Sequence, residues 1–249
     1  APLVIAWGGD GTVNEAAQAL AHSVTALGLV PAGSGNGFAV ELGIPRQPAR
    51  ALRGAVSWPP RRIDAGRLDG RFFVNIAGAG FDGLVARRFQ AHGRRGALPY
   101  LTIGLAAGLG YRPRRYRVEL DGTVLEGRAL LVACANGRQY GNGAAIAPRA
   151  CFADGLLDVV FVDSRPFVVD LLRLPFLFLR AADRVFGVRT RRARRVSIEA
   201  DEPVDLHVDG EPVEPARRAA VEVLPGALRV AAPPLRTSAG TARGSARRS

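Results

Sequence analysis

The chain has 249 residues, 48% apolar and 22% charged, with a net charge of +12 carried by 34 basic residues that are all Arg. That balance suits a soluble globular protein with a buried core, and the basic excess suits an anionic partner: a nucleotide, a lipid headgroup, a membrane surface or nucleic acid. Cys134 and Cys151 lie far apart with no CxxC spacing, which excludes a disulfide framework, argues against a zinc site and makes a reducing cytoplasm the default.

In chain order, "LVIAW" (3–7) is a short apolar run ending in glycines and predicts a buried parallel strand. "TVNEAAQALAH" (12–22) has helical spacing and good helix formers. "ALGLVPAG" (26–33) predicts a second strand, followed by a glycine loop, a helix from about Phe38 and a short helix at "PARALRGAV" (48–56). This alternation is the mark of an α/β region. Beyond residues 57–60 the pattern changes. "RIDAGRL" and "RFFVNIAG" flank an Asp-Gly turn and predict a hairpin. After a helix at "FDGLVARRFQ" come short strands at "RYRVEL", "TVLEGRALLVACAN", "GLLDVVFV", "RRVSIEA", "VDLHVDG" and "AAVEVLPGALRVAA", separated by turn residues. The expected fold is therefore α/β plus mainly β: a partial Rossmann-like nucleotide domain at 1–57, an antiparallel β-sandwich domain at 58–235, and a disordered basic tail at 236–249. The most apolar stretch, 167–188, is broken by Asp170, Arg173, Pro175, Arg180, Asp183 and Arg184, so an amphipathic helix or helix pair is expected there and not a membrane span.

Two loops carry chemistry. "GGDGT" (8–12) joins a strand to a helix, where glycines let backbone N–H groups and the positive helix end approach a phosphate. It is neither GxGxxG nor Walker A, and no P-loop lysine follows. Asp10 is the unusual element: a carboxylate beside phosphate needs a cation between them, which implies Mg²⁺. A plain glycine turn is the alternative. "PAGSGNGFA" (31–39) has the same form, with Gly33, Gly35 and Gly37 freeing the backbone and Ser34 and Asn36 offering hydrogen-bond groups. Alone it could be a capped helix start.

Taken with "FVNIAGAGFDGLV" (73–85), "ANGRQYGNGAAIAPRACFADGLLDVVFV" (135–162) and "VDGEP" (208–212), these loops resemble the diacylglycerol kinase catalytic-domain family, which includes sphingosine kinases, ceramide kinases and bacterial lipid kinases. Five segments fall in the family's order, from residue 8 to about residue 212. NAD kinases share the GGDGT element but differ in the second loop.

The resemblance implies a kinase that phosphorylates a lipid hydroxyl with ATP and Mg²⁺. By it, Gly8, Gly9, Asp10, Gly11, Thr12 and Asn14 line the nucleotide phosphates with Gly33, Ser34 and Asn36, and Asp10 holds Mg²⁺. Asp154, with main-chain carbonyls at Cys151 and Leu156, matches a structural Mg²⁺ site. Asp209 and Glu211 match a late acidic pair, two apart and so expected on one face of a strand; Glu211 is favoured as the base and Asp209 as its partner. Asp82 matches an acid that meets the substrate headgroup. His22, His92 and His207 sit in no motif and are expected to be structural.

The family carries a first strand, a further loop and an adenine-side strand before GGDGT, and the chain has no Met, so an N-terminal truncation is expected. The expected partners are a lipid substrate and, peripherally, an anionic membrane, at a cytoplasmic location, and a homodimer is compatible with the sequence. "RPRRYR" (112–117) and "RRARR" (191–195) come without a nucleic-acid module, so no nucleic-acid partner is expected. An inactive nucleotide- or lipid-binding protein and an NAD kinase-like enzyme are the alternatives.

Overall fold

The computed structural model describes residues 2–92, 97–141, 144–166, 168–170, 172–173 and 185–234. The tail expected to be disordered, 236–249, lies outside the described residues, as does most of the apolar segment 167–188; its described residues 168–170 and 172–173 are helical. No described helix is long and apolar enough to cross a membrane.

The first region alternates as its sequence pattern requires. Strand β1 (Leu3–Gly8) leads into helix α1 (Asp10–Leu20) and strand β2 (Ala26–Pro31), then α2 (Gly37–Glu41) and α3 (Pro48–Ser57). β1 and β2 pair in parallel, Leu3 opposite Ala26 through Gly8 opposite Pro31. All six β2 residues are buried, which is why "ALGLVP" reads as a continuous apolar run and not as an alternation. α3 starts on Pro48, whose fixed φ suits a first helical turn, and it buries Ala51, Gly54 and Ala55.

The antiparallel part begins with the β3 (Pro60–Leu68), β4 (Arg71–Phe73) and β5 (Ile76–Gly80) strands, followed by α4 (Phe81–His92) and α5 (Ala97–Gly108). The long strands come next: β6 (Arg114–Leu120), β7 (Thr123–Ala135), β10 (Leu157–Asp163), β11 (Val188–Ala193), β12 (Arg195–Val208) and β13 (Glu211–Ala231), with β8 (Gln139–Gly141) and β9 (Ala144–Ala145) as a small separate ladder. β7 and β12 splay apart. β6 bridges them at one end through Val196–Ala200, and β5 bridges them at the other through Leu206–Val208. Leu68, Phe73, Tyr116, Val118, Phe161, Ile198 and Leu206 fill the space between as one core. The result is the expected β-rich sandwich, closed like a barrel.

β13 joins the two regions. Its first half pairs with β12. At Pro225–Gly226 the register shifts, with Gly226 at φ +57, and the second half runs parallel to β2 (Arg229 opposite Ala26) and antiparallel to β3. Ala227, Leu228 and Val230 thereby enter the same core as Leu27, Leu29, Val30 and Phe38. The last described strand is thus part of the core of the N-terminal α/β region, and all the principal strands form one sheet of eleven.

Candidate active site

The glycine loops meet backbone to backbone. A Cβ on Gly33 would lie 2.6 Å from Gly9 Cα, closer than any real Cβ contact, so the second loop has no room for a side chain at the crossing, while a Cβ on Gly9 would be tight at 3.3 Å from Gly33 Cα. Gly8 O accepts from Ala32 N at 2.9 Å. Asn36, buried and at φ +54, closes the second loop on itself: Gly33 N donates to its Oδ1 at 2.8 Å, and its Nδ2 donates to Gly33 O at 2.6 Å. Asn tolerates this left-handed conformation better than most residues. α1 starts at Asp10 behind Gly9, with no side-chain cap. Its first N–H groups have no intrahelical acceptor, and among the described residues no side chain caps them, which is the arrangement an anion completes. The cradle fits phosphate groups. Ser34 and Thr12 stand exposed at its rim.

The carboxylates divide the surroundings. Asp10 leans across the second loop: a Cβ on Gly35 would sit 2.9 Å from its Oδ2. Glu211 comes from the other region, its Oε1 3.5 Å from where a Cβ on Gly11 would be. Asp10 and Glu211 therefore flank the first turn of α1. Asp209 does something else. It sits with Gly210 in a two-residue turn, φ +48 and +86, between paired residues Val208 and Glu211. The expectation that Asp209 and Glu211 share a strand face is corrected here, because Asp209 occupies a left-handed turn position where strand alternation does not apply. Its carboxylate turns back into the protein and accepts from Val74 N, Asn75 N, Ile76 N and Asn14 Nδ2 at 2.6–2.9 Å. Burial pushes this carboxyl above the usual range, and the four donors pull it down. Glu211 is exposed.

The other expected residues fall elsewhere. Asp154 accepts from Leu156 N at 3.1 Å and forms an ion pair with Arg192. Cys151 is exposed and Leu156 half-buried. Among the described residues no three His, Cys, Asp or Glu side chains gather as a metal site, so a cation at Asp154 would rely on main-chain carbonyls. Asp82 is 2% exposed; it accepts from Gly83 N at 2.9 Å and meets His207 Nε2 at 3.1 Å. Three further residues matter here: Asp64 and Asn136, to which the sequence assigned no role, and His207, which it read only as structural. Asp64 accepts from Gly155 N and Gly226 N, both at 2.7 Å, and so pins the Asp154 turn and the β13 bend. Asn136, fully buried, donates to Asp64 O and Val74 O. His207 links Asp82 to the turn of Asp209 and Gly210. A lone acid in the buried run "IDAG" was the available signal for Asp64. His207 lies two residues before Asp209, close enough to suspect.

Comparison with known proteins identifies both regions of the chain. Residues 1–68 match the diacylglycerol kinase catalytic domain, and residues 75–232 match the YegS C-terminal NAD kinase beta sandwich-like domain. The chain is 35% identical over 238 residues to the "Probable lipid kinase YegS-like" protein of Chromohalobacter salexigens, covering 92% of this chain and 76% of that one. It is equally similar, at 35% over 238 residues, to the "Probable lipid kinase YegS" of Salmonella arizonae, covering 93% and 78%. In fold it superposes on a crystal structure of a diacylglycerol kinase from Bacillus anthracis with TM-score 0.71 at 22% identity, covering 94% of this chain and 77% of that one. An NAD kinase from Archaeoglobus fulgidus in complex with ATP shares the fold less closely, with TM-score 0.52 at 15% identity over 92% and 77%. With paired glycine loops at the start of α1, a late acidic hairpin facing them and both family domains matched in order, the chain belongs to the YegS-like lipid kinase family.

Proposed function

We propose that the protein transfers the γ-phosphate of ATP to a hydroxyl of a lipid such as a diacylglycerol or a sphingoid base. The observation that carries this reading is the division of labour in the late hairpin: Asp209 is saturated by four donors, while Glu211 is exposed beside Gly11. A base must offer a free oxygen to the proton it removes, and of the two only Glu211 does so. In this reading the N–H groups of Gly11 and Thr12, at the start of α1, hold the phosphates. Asp10 is the residue that would hold Mg²⁺, and that cation would supply positive charge against the phosphates. Glu211 takes the proton of the lipid hydroxyl as its oxygen bonds to phosphorus; the bond from phosphorus to the bridging oxygen breaks, and its electron pair leaves with ADP.

Asp82, enclosed at the start of α4, is read as the floor of the headgroup site. Asp154, with carbonyls of Cys151 and Leu156, is read as a second Mg²⁺ site in which the cation would compete with Arg192. Because the substrate is a lipid and the chain is +12, we also infer peripheral contact with anionic membrane.

The test is phosphorylation of a panel of diacylglycerol, sphingosine, ceramide and phosphatidylglycerol with labelled ATP, using the chain and two variants. Glu211→Gln should abolish turnover yet bind Mg–ATP normally. Asp10→Asn should lose turnover and weaken Mg–ATP as well. Near-normal turnover in Glu211→Gln would remove this assignment of the base.

A further inference from the structure

β5 reads "IAGAG", and Gly78 at its centre makes room for a buried polar contact. A Cβ on Gly78 would lie 2.1 Å from Asp82 Oδ2 and 2.4 Å from His207 Nε2. The strand thus carries glycine where the pair Asp82–His207 lies against it. His207 is 3% exposed and Asp82 2%. The imidazole reaches a different partner from each ring nitrogen. Its Nε2 lies 3.1 Å from Asp82 Oδ2, and its Nδ1 lies 3.3 Å from the N–H of Gly210. A ring nitrogen that accepts an N–H must carry a lone pair, so the proton sits on Nε2 and is donated to Asp82.

Both ends of this link are anchored. Gly210 lies between Asp209, clamped on the β4–β5 backbone, and Glu211, which faces Gly11. Asp82 belongs to α4, seated on β12 so closely that a Cβ on Gly83 would be 2.4 Å from Asp205 O. Arg87 of the same helix pairs with Asp205 at 2.6 Å and donates to Val213 O at 2.8 Å, beyond the turn.

We infer that His207 is a positioning residue for Glu211: through its neutral Nε2–H form it fixes Gly210, and so the direction in which the turn presents Glu211, and it joins that turn to α4 on the lipid side. This rests on the reading of Glu211 as the base. A base must be held within hydrogen-bond reach of the hydroxyl, and a small displacement costs turnover without touching the phosphate loops.

Two substitutions separate the contacts. In His207→Asn, the amide oxygen falls near the position of Nδ1 and can still accept from Gly210 N. In His207→Gln, the amide nitrogen falls near Nε2 and can still donate to Asp82, but the Gly210 acceptor is gone. We expect His207→Gln to lose about tenfold in kcat and His207→Asn less than threefold, with KM for ATP unchanged in both. A purely structural role would instead lower kcat in step with melting temperature and in no particular order. Full turnover in His207→Gln, or equal losses in the two variants, would overturn the inference. Should either variant fold poorly, the unaltered protein still decides: long-range proton–nitrogen correlation spectra should show His207 protonated on Nε2 alone, and an Nδ1–H tautomer or an imidazolium near neutral pH would refute it. Glu211→Gln, run in parallel, keeps the two failures apart. If it retains turnover, the base is wrong. If it is dead while His207→Gln is fully active, only the role of His207 is wrong.

Discussion

Asn14 and Asp209 stand 195 residues apart in the chain, and Nδ2 of the first donates to Oδ2 of the second at 2.6 Å. One hydrogen bond therefore ties the first turns of α1 to the hairpin that carries Glu211. The same carboxylate collects three consecutive backbone N–H groups, from Val74 to Ile76, where β4 gives way to β5. Asp209 is a junction of three chain segments, and the order of the active site depends on it.

The consequence for stability is graded. Asn14→Ala removes one charge-assisted hydrogen bond and should cost about 2 kcal/mol. Asp209→Ala strands three backbone donors as well and should cost about 3 kcal/mol or more. Glu211→Ala, at an exposed position, should stay within about 0.5 kcal/mol of the parent. Denaturant unfolding of the three variants measures the order. Equal losses for Asp209 and Glu211 would contradict the division of roles drawn between them.

At the crossing of the two loops, Gly33→Ala should act on nucleotide and not on lipid. Its Cβ would meet Gly9 Cα at 2.6 Å, so the two backbones must part and the phosphate cradle must widen. We expect KM for ATP to rise about tenfold with little change in KM for lipid. Gly104→Ala is the control: it lies in α5 with open space around it, and it should be neutral or stabilise by up to about 1 kcal/mol.

Much of this was legible because backbone requirements leave marks. "GGDGT" and "PAGSGNGFA" carry glycine where two loops touch, and the Asp-Gly pairs at Asp69, Asp121 and Asp209 each mark a turn with positive φ at both residues. What was not legible depends on tertiary contact. α5, "ALPYLTIGLAAG", is apolar on all sides, so periodicity gives no helical signal there. The alternation argument for Asp209 and Glu211 failed because the pair straddles a turn. His207 belongs to no motif; it matters through Asp82, 125 residues earlier in the chain.

The cysteines offer a check on packing. Cys134 is fully buried, and burial pushes its thiol up to about 12, whereas Cys151 is exposed. Only the thiolate reacts quickly, so at pH 8 one thiol per chain should label rapidly and the second only on unfolding. Mass spectrometry of the labelled peptides should place the fast label on Cys151. Rapid labelling of Cys134 would mean that the core between β5, β7 and β10 opens far more readily than its packing implies.

The inferred membrane contact can be assigned to one end of the sheet. Val168, Leu172 and Phe186 are all more than 60% exposed. The guanidinium of Arg165 lies 4.8 Å over the Phe186 ring, so charge and apolar surface are presented together. Arg191 follows on β11, between Arg189 and Arg192, which pair with Asp163 and Asp154, and Asp163 N donates to Gly187 O at 2.8 Å, keeping the two sides of this end adjacent. Arginines draw the protein to an anionic surface over roughly a Debye length, about 10 Å at 0.1 M salt, and exposed apolar side chains add affinity once it arrives. We expect binding to phosphatidylglycerol vesicles that falls several-fold between 0.1 and 0.5 M salt, and little binding to phosphatidylcholine. Phe186→Ala should weaken the binding by up to about tenfold, in line with about 1.5 kcal/mol for partial burial of one aromatic side chain. Vesicle co-sedimentation measures both. Equal binding to neutral and anionic vesicles would show that charge is not the cause, and an unchanged Phe186→Ala would move the contact away from this end of the sheet.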